Sequence, residues 1–436
     1  MNPSNKKIRL GLFLYTPMIG GAESYLKDLI WNLDRDIFDI TLFYEPWEEF
    51  VDFLQMAECP ATTFLPVRVI EQGGHFGAAK PSTATVAMGK LPVWERVLMK
   101  LQAMNQRLPL PLLKLPGKVV ARTLRYVLIP LNFYRMYQVL KGHPVDVLHV
   151  INGGYPGAES ARFAPLAAKL AGCRWCVMSV CNTAVPRAFP LFLEKFLDGF
   201  TGSFIDRFVV PGRTIGRYLC ERRGIDQSKL ELIPYGVKLS SQYASVGRKP
   251  FSGDRVPVIG AAGGLIPRKG FTYLLDAYAE MKARGIAFEA VFIGDGPMRA
   301  ELERRVRGLR LKDRIRFLGH LHYDSMMDAM SSIDLFVLSS DLEGMPLVIL
   351  QAMGLGRPIV STDVGGVGDV LENGKTGILV PPRDPVALAE AMIGIMGNRS
   401  EALEMVRRSR LRFEDLYTLE RMVAAHERLY LVNAQE

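Results

Sequence analysis

Nowhere in this chain of 436 residues do eighteen apolar residues follow one another without a charge, so no membrane-spanning helix is expected. Cysteine is scarce: five residues form no paired framework, which excludes a disulfide scaffold and fits a reducing compartment. Cys173 and Cys176 make a lone Cys-x-x-Cys, with Cys181 further on. A metal site needs a second ligand pair at similar spacing, so buried strand positions are the better reading and no metal is expected. There is no Walker A loop, no complete Gly-x-Gly-x-x-Gly and no repeat of fixed period, which leaves a kinase, a standard dinucleotide oxidoreductase and a solenoid unsupported. Acids are nearly absent between Lys90 and Lys141, where ten basic residues face Glu95 alone. That window carries the whole chain's net charge of +9.

What is present describes a globular protein, with 49% hydrophobic and 23% charged residues. The length exceeds one ordinary core and points to two domains. Lys6-Lys7 followed by apolar residues 10–15 mimics a weak signal peptide, but Pro17 interrupts it and Glu23 follows a glycine turn. A first buried strand explains it better. Strand and helix then alternate, which argues for parallel sheets in an α/β fold. Strands are expected over 8–15, 40–44, 145–151, 175–180 and 207–210, with helices over 22–33, 158–171 and 214–223. Residues 240–255 are polar and aperiodic and read as a linker. Further strands are expected over 256–260, 290–293, 315–318, 334–338, 358–361 and 377–380, and a last helical segment over 413–432.

The basic segment, about 90–141, breaks this rhythm. On a helix, Trp94, Val97, Leu98, Leu101 and Leu108 share a face flanked by Arg96, Lys100 and Arg107. Beyond a proline-rich break, Lys118, Arg122 and Arg125 oppose Val120, Leu124, Val127 and Leu131. Paired apolar and basic faces suit a helix lying on an anionic bilayer, the alternative being an insertion packed on its own domain. No reader fold or interleaved aromatics accompany it, so nucleic acid is not an expected partner.

Chemistry-bearing residues gather after strands. Ser339-Ser340-Asp341-Leu342-Glu343-Gly344-Met345-Pro346-Leu347 leaves an apolar strand and enters a helix near Pro346. Ligands of open α/β sheets bind at that edge, where a helix start offers N–H groups and a positive dipole end to an anion. Glu343 suits sugar hydroxyls, and Gly344 permits close backbone approach. Alone, an ordinary strand–turn–helix with a surface acid explains this as well. Gly263-Gly264-Leu265-Ile266-Pro267-Arg268-Lys269-Gly270 also follows a strand, and its two cations would neutralise a diphosphate. Gly20-Gly21-Ala22-Glu23 and Gly294-Asp295-Gly296-Pro297 supply two more loops after strands. Asp34-Arg35-Asp36 has the form of a metal-binding Asp-x-Asp, but it follows a helix and reads as a solvated turn.

With Asp146-Val147-Leu148-His149, Leu232-Ile233-Pro234-Tyr235-Gly236-Val237, Phe317-Leu318-Gly319, Asp363-Val364-Gly365-Gly366 and the terminal helix ending near Tyr430, these motifs resemble the GT-B-fold, retaining glycosyltransferases of family 4 (group 1 glycosyltransferases). The resemblance runs in order through most of the chain. It implies two Rossmann-like domains facing each other across a cleft: an acceptor-side domain (1–240), a linker (241–255), a nucleotide-sugar domain (256–411) and a C-terminal helix (412–436) crossing back. Lys269 and Glu343 would be the catalytic pair. Gly20, Gly21, Arg268, Gly294, Asp295, Leu318, Gly344, Met345, Pro346, Leu347 and Gln351 would surround the donor, and His149 and Asn152 would lie on the acceptor side. The donor implied is uridine-linked rather than guanosine-linked, the acceptor a glycan or lipid-linked glycan, with no cofactor. The place implied is the cytoplasm, peripherally on a membrane.

Three positions depart from the family's pattern. Its second paired glutamate falls at Gln351, the arginine usually found before the lysine falls at Gly264, and a histidine common after the strand falls at Ile151. These departures motivate an alternative, a catalytically weakened GT-B scaffold that binds a partner glycosyltransferase or a glycan. A nucleotide-sugar epimerase is a third reading.

Overall fold

The computed structural model describes residues 7–15, 21–45, 48–54, 58–67, 117–187, 191–240, 243, 250–252 and 255–434. They form two parallel-sheet α/β domains. The first sheet holds β1 (Ile8–Leu14), β2 (Phe38–Tyr44), β3 (Thr62–Pro66), β4 (Val147–Asn152), β5 (Trp175–Val180), β6 (Arg207–Val210) and β7 (Leu230–Leu232), ordered β3-β2-β1-β4-β5-β6-β7. The second holds β8 (Val258–Ala262), β9 (Glu289–Ile293), β10 (Ile315–Gly319), β11 (Leu335–Leu338), β12 (Ile359–Thr362) and β13 (Ile378–Val380), ordered β10-β9-β8-β11-β12-β13. All pairings are parallel. Winding reverses between β1 and β4 and between β8 and β11, and such switch points open a crevice at the strands' carboxyl ends.

Helices cover both sheets, so strands such as β4 and β11 are buried along their whole length, and β11 reads as an unbroken apolar run. The first domain contributes α1 (Gly21–Asn32), α2 (Glu48–Leu54), α3 (Gly117–Gly142), α4 (Glu159–Leu170), α5 (Leu191–Ser203) and α6 (Arg213–Arg223). The second contributes α7 (Phe271–Ala283), α8 (Arg299–Gly308), α9 (Tyr323–Ser332), α10 (Leu347–Gly354), α11 (Val367–Val370), α12 (Pro385–Gly397), α13 (Arg399–Leu416) and α14 (Leu419–Ala434). No helix among the described residues is long and apolar enough to cross a membrane.

Every expected strand is present within a few residues of its expected bounds. The single helical segment expected over 413–432 is instead the end of α13 and all of α14. The break falls where Thr418 bridges Val237, and Gly236 lies so close that a Cβ there would sit 2.4 Å from the Thr418 carbonyl. Of the basic segment, residues 90–116 lie outside the described residues, so Trp94, Arg96 and Lys100 have no described position; residues 117–141 belong to α3.

The break sends α14 back across the first domain. His149 of β4 lies with Nδ1 2.6 Å from the Tyr430 hydroxyl and Nε2 2.7 Å from Ser179 Oγ. Tyr25 of α1 completes the cluster, its hydroxyl 3.0 Å from Ser179 Oγ and 2.5 Å from His426 Nε2. Burial holds the His426 imidazole down at about 4 and the His149 imidazole well below its ordinary value. Both rings are therefore neutral when folded but take up protons near 6.5 when unfolded, so protons favour the unfolded chain. The stability from the neutral rings is complete above pH ~6.5, and the share from His426 is lost as the pH falls towards about 4. The loss from His426 between pH 7 and 5 is about 2 kcal/mol. Urea midpoints measured across that range should fall, and fall less in His426→Gln; a flat profile in the parent would refute this.

Candidate functional site

Both chemistry-bearing loops of the second domain start at its switch point. The chain leaves β8, turns through Gly263 and closes one 3-10 turn, Pro267–Lys269, which ends at Gly270 with φ +65°. From β11 it runs through residues 339–346 into α10. Backbone and side-chain bonds stitch the two segments together: Asp341 N donates to Arg268 O (2.7 Å) and Ser339 Oγ to Lys269 O (3.0 Å). A Cβ on Gly270 would lie 1.9 Å from the Ser339 carbonyl oxygen, so only glycine permits this approach.

The stitching carries Lys269 onto Glu343. Lys269 Nζ donates to Glu343 Oε1 at 2.5 Å, Ser340 Oγ donates to the same oxygen at 2.6 Å, and Arg268 Nη1 stands 3.5 Å from Oε2. The carboxylate is buried while Arg268 stays partly exposed, which puts a charged cluster at the carboxyl edge of the sheet. Residues 343–344 are backed by a second glycine pair. Gly366 N donates to Gly344 O at 2.9 Å, and Gly365 (φ +55°) lies where a Cβ would strike the Glu343 carbonyl. Met345 is buried, and Pro346 takes the N-cap position of α10, just ahead of the helical position expected for it. No side chain among the described residues caps that helix start.

The other positions expected on the donor side lie on the loops after β8 and β9, at the end of β10 and on α10. Gly294 closes against Gly263, while Asp295 takes the Gly296 amide (2.7 Å) and Arg299 Nη1 (2.7 Å), which hold its carboxyl below the usual range. Leu318 is half-buried at the end of β10. Gln351, on α10, is buried with its Oε1 lacking a hydrogen-bond partner. Such an orphaned acceptor suits a ligand hydroxyl. Gly264 has open space about it, its nearest neighbour being the Asp295 carbonyl at 4.0 Å.

The first domain comes close to the same place. A Cβ on Gly344 would lie 2.6 Å from Cys181 O, so the loop after β5 touches the Glu343 loop directly. A Cβ on Gly21 would lie 4.0 Å from Leu347 Cδ1, which brings the start of α1 to the start of α10; Gly20 lies outside the described residues. His149 and Asn152 behave otherwise. Both are buried, with both His149 nitrogens bonded inside the fold and Asn152 Nδ2 donating to Pro156 O (3.0 Å). The expected acceptor-side pair is thus committed to packing. Asp34-Arg35-Asp36 is a turn in which Asp34 Oδ1 accepts the Asp36 amide, ahead of β2 and opposite the edge where ligands bind. Cys173 and Cys176 are buried at the start of β5.

Sequence reasoning missed one group. The Tyr323 hydroxyl at the start of α9 donates to Lys238 O (2.7 Å) and lies beside the Gln351 amide and the Asp28 carboxyl of α1. Burial pushes Asp28 up to about 7, against the pull of Lys27 and Lys238. An acid at the eighth position of an amphipathic helix gives no sequence signal of this, because Tyr323 beside it comes from the other domain.

Residues 256–398, which carry the Lys269–Glu343 pair, match the family described as Glycosyl transferases group 1. Over this stretch the second domain is similar to the group 1 glycosyl transferases. Over 145 residues this domain is 35% identical to an alpha-D-kanosaminyltransferase of Streptomyces kanamyceticus, covering 33% of the chain and 38% of that relative. An N-acetyl-alpha-D-glucosaminyl L-malate synthase of Bacillus anthracis is 31% identical over 140 residues, or 32% of the chain and 36% of the relative. The chain thus spans little more than a third of the length of each of these curated relatives. Across the whole fold, HepE of Anabaena in complex with UDP superposes with a TM-score of 0.69 at 16% identity, covering 98% of this chain and 100% of that one. A glycosyltransferase of Rickettsia africae superposes with a TM-score of 0.70 at 15% identity, covering 97% and 98%. The two-domain architecture is therefore GT-B, and the match to the group 1 family falls in its second half.

Proposed function

We propose that this protein is a glycosyltransferase that moves a sugar from a nucleotide-diphosphate donor to a glycan or lipid-linked glycan, keeping the donor's anomeric configuration. The observation that carries this reading is the meeting of Lys269 and Glu343 at the switch point, beside the uncapped start of α10. The diphosphate lies against Lys269, Arg268 and the helix start; Glu343, released from Lys269, takes sugar hydroxyls. As the glycosidic oxygen departs, negative charge grows on the diphosphate, and preorganised cations and the helix dipole stabilise it. These groups supply the positive charge that a divalent cation supplies elsewhere, so the reaction is proposed to be metal-independent. Gln351 and Leu318 bound the ribose and base, and the acceptor enters from the first domain. HepE with bound UDP supports a uridine-linked donor. The protein works in the cytoplasm, held at a membrane through the basic segment 90–141.

The test is to supply UDP-sugars with and without a lipid-linked glycan fraction and measure nucleoside diphosphate release. A transferase releases it in step with acceptor, and the product keeps the donor's anomeric configuration by NMR. Interconversion of the nucleotide sugar without acceptor would instead identify an epimerase. Gln351 in place of an acid favours a second reading, the non-catalytic scaffold; it gains if no donor turns over while partner or glycan binding survives Glu343→Ala.

A further inference from the structure

Helix α5 buries two acids beside Leu197 and shows phenylalanines to the outside. Its two acids point inward: Glu194 is 4% exposed and Asp198 1% exposed. Arg223 Nη1 lies 2.9 Å from Glu194 and 3.2 Å from Asp198, Arg162 Nη2 lies 2.7 Å from Asp198, and Arg187 Nε lies 3.0 Å from it. Outward, at the four-residue spacing of one helix face, stand Phe192 (77% exposed), Phe196 (64%) and Phe200 (41%). Phe196 and Phe200 stack with centroids 6.0 Å apart and planes 8° from parallel, and with Phe192, Lys195 and Gly199 they line a shallow apolar hollow. Water-facing helices normally show the reverse arrangement, and an exposed contiguous apolar patch marks a contact surface.

We propose that this phenylalanine stripe inserts into the headgroup–acyl boundary of an anionic bilayer. Charge selects that occupant. The acids of α5 are consumed inside, leaving Lys195 as the charge on its outer face. In the same helical layer α5 packs on α4 and α4 on α3, whose described side chains include the cations Arg135 and Lys141. Apolar anchors beside cations are the pairing that interfacial binding requires, because cations alone are screened by salt and apolar area alone lacks lipid selectivity. The loop feeding α5 is the one whose Cys181 carbonyl meets Gly344, so insertion holds the acceptor half of the site at the bilayer. The inference deepens the transferase reading and rests on it for a lipid-linked acceptor.

Sedimentation with phosphatidylcholine vesicles containing phosphatidylglycerol tests it, comparing the parent with the triple variant F192S, F196S, F200S. Partition should drop by about ten-fold or more, since three aromatic anchors are lost, while UDP binding stays unchanged. Should the triple variant fail to fold, F196W decides alone: its emission in excess of the parent's should be quenched by brominated lipid. Unchanged sedimentation of a folded triple variant, or no quenching in F196W, would overturn the proposal. So would a parent dimer that the triple variant splits, which would make the occupant a second copy. Loss of UDP binding in the parent, with vesicle binding intact, would count against the transferase reading and not against the stripe.

Discussion

Replacing Lys269 with alanine should lower kcat by about 10²–10³-fold, the cost typical of removing one preorganised group aimed at charge that develops in the transition state. The lysine is placed by backbone geometry rather than by its own rotamer preferences. The 3-10 turn over Pro267–Lys269 and the bonds from Asp341 N and Ser339 Oγ bring its stem to the switch point, and Glu343 holds its ammonium at 2.5 Å. A diphosphate carries more negative charge at bond cleavage than in the bound donor, so the loss should fall more on kcat than on KM. Arg268 remains in the variant but is partly exposed and set back at 3.5 Å from the same carboxylate, and it should not compensate. Steady-state assays of parent and variant against donor concentration give both constants. An equal rise in KM with kcat unchanged would mean that Lys269 only binds.

Gly270→Ala should destabilise the second domain by about 3–5 kcal/mol, beyond the usual range of single substitutions. Two penalties coincide at this position. Its φ of +65° disfavours any side chain, and the added Cβ would sit 1.9 Å from the backbone oxygen of Ser339, which cannot swing away as a side chain can. Relief requires parting the two loops that join Lys269 to Glu343, so donor binding should fall even where the variant remains folded. Urea unfolding followed by far-UV circular dichroism measures the first effect and nucleotide titration the second. A midpoint within error of the parent's would show that the loops separate freely, and the site would then lack the rigidity claimed for it.

The parallel strands were legible because each is a short apolar run bounded by turn residues, and burial on both faces makes that signal strong. Edge strand β3, ending at Pro66, and three-residue β7 carried too little of it. Helix α5 escaped notice for a physical reason: its acids are buried with arginines drawn from α4, α6 and a loop, while Leu197 faces in and its phenylalanines face out, so no single apolar face marks it. The donor-side loops could be read because glycines and cations after strands have local meaning. His149 could not be placed correctly from sequence, since its partner Tyr430 sits at the far end of the chain and arrives only because the helix breaks at Thr418. Asp28, Tyr323 and Gln351 form a neighbourhood that exists only once the domains face each other.

Calorimetric titration of the protein with UDP and GDP, alongside Lys269→Ala, tests the central claim most directly. The account predicts that UDP binds in preference to GDP and that the variant loses this binding by at least about ten-fold, the weight of one charge-assisted contact to phosphate. No binding by either nucleotide, or binding that Lys269→Ala leaves untouched, would contradict it.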